Sequence, residues 1–185
     1  GVVGAIADVE DTFTKIRNFR QQSEAQAFAF EKLNEIKSRA DEDIDLDPTK
    51  YYSEIEKIGQ DASKTISSQV ARDKFMVRFQ RQATALKWGI KNDFRAKELK
   101  AADAAIDYQA QNIIDTYGSM DVVHRWVALA GFKQSLEQGV ADGLYNQAMA
   151  ENKYADFQKK IFKGQVEYDI YNDQATQEKD SSVLA

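Results

Sequence analysis

The chain has 185 residues, of which 43% are hydrophobic and 30% charged, and its net charge is −5. That apolar content can bury a core, which excludes a wholly disordered chain. There is no cysteine, which excludes a disulfide framework, a zinc–cysteine site and a thiol nucleophile.

With a single proline and long alanine-rich periodic stretches, helix is predicted throughout. The chain opens on Gly1 rather than Met, which fits processing, a tag scar or a fragment, and a fragment of a longer chain is the expectation. GVVGAIADVED is only briefly apolar and lacks a basic region, so it does not read as a signal peptide. The first helix is predicted from Ala5 to Asp43, with Asp8, Glu10 and Asp11 at the positive end of its dipole. Its stripe is Ile6, Phe13, Ile16, Ala27, Phe30 and Leu33. The spacing is near 3.5 but is interrupted at Arg20 and Ser23.

An acidic loop follows, DEDIDLD from Asp41 to Asp47. Asp41, Asp43, Asp45 and Asp47 alternate as in a calcium loop. Such a loop needs Gly sixth and Glu twelfth, and those positions here are Leu46 and Tyr52. The reading is a solvated loop without a metal. Asp47 can cap the next helix, with Pro48 at its first position. That helix is predicted to reach Ser67, burying Tyr52, Ile55, Ile58, Ala62 and Ile66 and weakened at Gly59.

The third helix is predicted from Ser68 to Tyr117. Phe75, Phe79, Ala83, Leu86, Ile90, Phe94, Ala101 and Ala105 form its stripe, with chain reversal at Gly89 or Gly118 left open. Ser119 is predicted to cap a fourth helix holding Val123, Trp126, Val127, Ala130 and Leu136, and Gly143 to end it. Asn146 is predicted to cap a fifth helix from Gln147 to about Tyr171, with Met149, Tyr154, Phe157, Ile161, Val166 and Ile170 as its apolar set. The expected architecture is all-α, an elongated bundle of about five helices with at least two very long ones. It is expected to form one domain over residues 1–173, with residues 174–185 as a tail or linker. No apolar run approaches the ~20 residues of a membrane span.

Charge is uneven. Between Arg72 and Lys100 there are nine basic and three acidic residues, a local +6 that leaves −11 for the rest. Its densest part is KFMVRFQRQATALKWGIK, Lys74 to Lys91. Lys74, Arg78 and Arg81 share a face by spacing; Lys87, Lys91 and Arg95 form a second row. Phe75, Phe79, Leu86, Ile90 and Phe94 lie on the opposite stripe, so the aromatics are assigned to packing. Four readings stay open for the cations: a solvated face paired with acidic helices of the same bundle, nucleic-acid phosphates, an acidic partner protein, and an anionic membrane.

Other chemistry is sparse. His124 is the single histidine, with Asp121 on the same helical face. With no nucleophile motif beside it, the pair reads as a helix-surface feature. Tyr51, Tyr52, Tyr168 and Tyr171 could stack on bases, but their helical spacing reads as core or half-buried. There is no glycine-rich phosphate loop and no internal repeat. No catalytic set and no cofactor is assigned, and the chain is expected not to be an enzyme.

Three segments resemble a known class. They are ADVEDTFTKIRNFRQQSEAQAFAFEKLNEIK, the element Asp47-Pro48…Tyr51, and FKQSLEQGVADGLYNQAMAENKYADFQKKIFKGQVEYDIYND. The last contains a G-V-x-x-G turn (Gly139, Val140, Gly143), then Ala148, Phe157 and Val166. Together, over about Ala5 to Asp173, they resemble the N-terminal helical part of the large internal virion proteins of tailed phages, the ejection or cargo proteins. The resemblance implies a non-enzymatic structural protein stored in the virion, which helps form a conduit for genome delivery through the host envelope. It implies a homo-oligomer, portal or tail components as partners, and contact with DNA and the host envelope. The alternative is an elongated helical scaffold that binds anionic membrane or an acidic protein.

Overall fold

The structure is a computed structural model, and it describes residues 1–45 and 47–184. Leu46, the sixth position of the acidic loop, and Ala185, the end of the expected tail, lie outside the described residues. The protein is all-α: α1 Val2–Glu42, α2 Lys50–Ser63, α3 Gln69–Tyr117, α4 Val122–Ala141 and α5 Gln147–Leu184. Among the described residues there is no strand, and no helix is long and apolar enough to cross a membrane. The long third helix is continuous through Gly89. The chain divides into two compact units, Gly1–Glu98 and Leu99–Ala185, and α3 supplies residues to both.

The first unit is built on small residues at helical intervals. Ala25, Ala29, Leu33, Ile36 and Ala40 are the buried positions of α1, and alanines there let neighbouring helices approach closely. They meet Tyr51, Ile55 and Ala62 of α2, Ile66 of the following turn, and Ala71, Phe75, Phe79, Ala83, Ile90 and Phe94 of α3. Each buried phenylalanine contributes ~1.5–3 kcal/mol by leaving water, so the α3 stripe dominates this core. Of the stripe predicted for α1, only Leu33 is buried; Ile6, Phe13, Ile16, Ala27 and Phe30 are exposed. The packed face is instead the alanine face that begins at Ala25. On α2, Tyr51 rather than Tyr52 is fully buried. Gly59 is not a weak point: a Cβ there would overlap the Phe79 ring, so the glycine makes room for it.

The second unit packs Ile113, with Ile106, Ala110, Ile114 and Tyr117, against Phe132 and Leu136 of α4 and Ala150, Phe157 and Ile161 of α5. The Phe132 and Phe157 ring centroids are 4.0 Å apart. Ala101 and Ala105, which the sequence placed on the stripe, are exposed. On α4, Val123, Trp126, Val127 and Ala130 are exposed, and the buried set is Phe132, Leu136 and Gly139. Met149, Val166 and Ile170 of α5 are also exposed.

The helix ends follow from cap chemistry. Gly143 has φ +78°, Leu144 N donates to Gly139 O at 2.8 Å and Gly143 N to Val140 O at 3.1 Å. This is the two-bond glycine stop at the C′ position. Asn146 Oδ1 accepts from Met149 N at 2.8 Å and so starts α5 as predicted. The cap of α4 is Asp121 rather than Ser119; its carboxylate accepts from His124 N at 2.8 Å. The segment expected to be a tail from residue 174 is helical to Leu184, and all its described residues are exposed.

Candidate functional site: the basic face of α3

At 3.6 residues per turn, Lys74, Arg78, Arg81, Trp88 and Arg95 fall within about 100° of arc on α3, with Lys91 at the border. Phe75, Phe79, Ala83, Ile90 and Phe94 occupy the opposite side and are buried. The core therefore fixes which way the cations point. Lys74, Arg78, Arg81, Lys91 and Arg95 are all exposed, and among the described residues none of them forms an ion pair.

Lys87 does not belong with them. It lies toward α2, pairs with Glu56, and its ammonium sits 5.9 Å from the Tyr52 ring centroid. The Lys87 hydrogen bond holds the Glu56 carboxyl below its ordinary value. The two rows read from the sequence thus become one exposed face plus one internal pair.

Lys97, which the sequence did not single out, turns to the core side. Its Nζ donates to Ala40 O, Asp41 O and Asp43 O, each at 3.0 Å, and lies 4.9 Å from the Phe94 ring centroid. A cation there satisfies the last carbonyls of α1 and opposes the negative end of its dipole. Arg125 does the same for α3, donating to Tyr117 O at 3.0 Å and Gly118 O at 2.8 Å.

The aromatics split. Phe75, Phe79 and Phe94 are core, but Trp88 is 68% exposed and interleaved with the cations, contrary to the assignment of every aromatic to packing. Its place could have been read from intervals of seven: Lys74, Arg81, Trp88 and Arg95 repeat on one face. Tyr171 is likewise exposed, and so is Tyr168, although its side chain lies against Gly118.

The remaining polar clusters are occupied by structural contacts. Asp43 bonds to Lys50, Tyr51 and the amide of Asp45, and the Lys50 bond leads in holding its carboxyl well below the usual range. Asp41 pairs with Lys37, and Asp47 accepts from Thr49 N and Oγ1. The alternating aspartates are thus helix-end and turn ligands for the chain itself, and among the described residues no three acidic or histidine side chains form a metal-binding group. His124 Nδ1 lies 2.7 Å from Asp121 Oδ2, so the pair clamps the first turn of α4. The hydrogen bond from the His124 amide, then that from its ring, lowers the Asp121 pKa.

Lys153 Nζ lies 2.8 Å from Asp103 and 3.1 Å from Asp107, while Tyr145 donates to Asp103. Burial first, then the bond to Asp103, pushes the Tyr145 phenol up to about 12. Burial works to lower Lys153, but the bonds to Asp103 and Asp107 outweigh it and raise the group. Both shifts run away from neutrality. That suits a tie between α3 and α5 and opposes acid–base work near pH 7.

No family model, curated protein or solved structure matches the chain.

Proposed function

We propose that this chain is a non-enzymatic structural protein of the phage virion, of the ejection or cargo type, and that it works by assembling with copies of itself. The observation that carries the reading is an apolar seam on α1. Val2, Ile6, Val9, Phe13 and Ile16 step by four, three, four and three, and each is more than half exposed. That is a heptad seam over ~21 Å of helix. Val2, Val9 and Ile16 take the d positions, and Ile6 and Phe13 the a positions. β-branched residues at d, together with Ile at a, favour three or more strands over two.

An isolated helix of this length is marginal in water. Here it continues a helix whose later turns are anchored in a core from Ala25 onward, so much of the ordering cost is already met. Val122, Val123, Trp126 and Val127 of α4 form a second exposed apolar set, available to other virion components.

The virion assignment is supported by the likeness of the α1, Asp47–Tyr51 and Phe132–Asp173 segments to ejection proteins. In that setting the protein would meet portal or tail components, DNA and the host envelope. Mass spectrometry of particles of the encoding phage tests it. The chain is expected in full particles and depleted from particles that have released their DNA. Absence from full particles would refute the assignment.

A further inference from the structure

We infer that the outward face of α3 binds single-stranded nucleic acid, with phosphates on Lys74, Arg78, Arg81, Lys91 and Arg95 and a base stacked on Trp88. This goes beyond the assembly role and does not depend on it. Axial spacing supplies the first argument. Lys74, Arg78 and Arg81 cover ~10 Å of helix, Lys91 and Arg95 ~6 Å, and the ~15 Å between the two groups holds Trp88. The arrangement is cations, aromatic, cations along one line.

Charge supplies the second. This segment carries a local +6 in a chain of net −5, and the five cations are exposed and unpaired among the described residues. Acidic neighbours flank the face without neutralising it. Asp73 accepts from Gln69 at 2.7 Å, and Glu98 lies at the far border.

The exposed indole selects the class of ligand. Phosphates need only the cations, so the exposed indole set among them calls for a ligand that pairs anionic groups with a flat or apolar surface. A base offers a π-face to an aromatic side chain, and only an unpaired base can leave its stack at low cost to reach one. A membrane is disfavoured because an interfacial helix inserts its apolar face, and the apolar face of α3 is already buried in the core.

The chain has two tryptophans, and Trp126 is also exposed. A Trp126→Phe background therefore isolates Trp88 as a fluorescent probe. Titration with oligothymidylate is expected to quench Trp88. Log affinity should fall against log salt with a slope of about −3 to −4, as five phosphate contacts on a single strand require. Trp88→Ala is expected to weaken binding about tenfold with little change in that slope. Arg78→Glu with Arg81→Glu should weaken it further and flatten the slope. All these side chains are exposed, and unchanged far-ultraviolet circular dichroism verifies that the variants fold. Three results would each overturn the proposal: no binding at low salt, binding that leaves Trp88 fluorescence unchanged, or tighter binding to duplex DNA or phosphatidylserine vesicles than to the single strand.

Discussion

The Phe79 ring of α3 packs directly on the backbone of Gly59 in α2, in the space a Cβ would occupy. Gly59 is buried, and Phe79 is 1% exposed. In a helix interior Ala is favoured over Gly by about 1 kcal/mol, but here the ring must move to admit a methyl group, and overpacking costs about 1–3 kcal/mol. Gly59→Ala is therefore expected to destabilise the protein by up to about 2 kcal/mol in urea unfolding, the overpacking cost less the propensity gain. Gly89, where a methyl group would meet nothing within 4 Å, is the control. Gly89→Ala should stabilise by about 0.5–1 kcal/mol. The opposite signs separate packing from propensity.

Lys97 closes the end of α1 by bonding three carbonyls at once. Lys97→Met keeps most of the stem that covers Phe94 and removes the donors. A loss of about 1–2 kcal/mol is expected, given the partial exposure of the site. Proteolysis between Asp43 and Thr49 should also quicken. An unchanged unfolding midpoint and cleavage rate would mean that water replaces the ammonium without cost.

The Tyr145–Asp103–Lys153 cluster gives a pH signature. Asp103 is held below its ordinary value by the Lys153 bond and then by the Tyr145 bond. Its contribution is present above the unfolded pKa of about 3.9 and is lost as pH falls through the lower folded value. Tyr145 is raised to about 12, so its contribution is complete below the unfolded value of about 10 and is lost as pH rises from there toward 12. Tyr145→Phe should flatten the stability profile between about pH 10 and 12 relative to the wild type. It should also reduce the acid-side loss, because Asp103 would keep only its lysine. Urea unfolding across pH measures both limbs.

Helix positions were legible because period and caps agree locally. Gly143 ends α4 through its positive φ and Asn146 starts α5 through its side-chain oxygen, both as expected, whereas α2 begins at Lys50 with Thr49 as its cap, two residues after Pro48. Burial was less legible. Phe13 and Ile16 read as core by hydrophobicity, yet Ala25 and Ala29 are buried in their place. An apolar stripe states only that something covers it, and a lone sequence does not say whether the cover is intramolecular. The same limit applied to the basic segment. Spacing separated Phe75 and Phe79 from the charges, but Lys87 meets Glu56 through a tertiary contact thirty-one residues away in sequence, which no local pattern encodes. Trp88 is apolar by type but lies on the charged arc by period, so grouping it with the phenylalanines hid its exposure.

Asp121 offers a further local test. It caps α4 through the His124 amide and also holds the His124 ring. Asp121→Ala should cost about 1 kcal/mol, whereas Asp121→Asn keeps an amide-accepting oxygen and should recover most of it. Equal losses in both variants would point to the ring contact rather than the cap.

Self-association through α1 is the central claim, and sedimentation velocity over a concentration series tests it most directly. The wild type is expected to sediment as a trimer or larger. Ile6→Asp with Phe13→Asp should sediment as a monomer of unchanged helicity, since both side chains are exposed in the single chain. A wild type that stays monomeric at every concentration, or a double variant that associates as the wild type does, would contradict it.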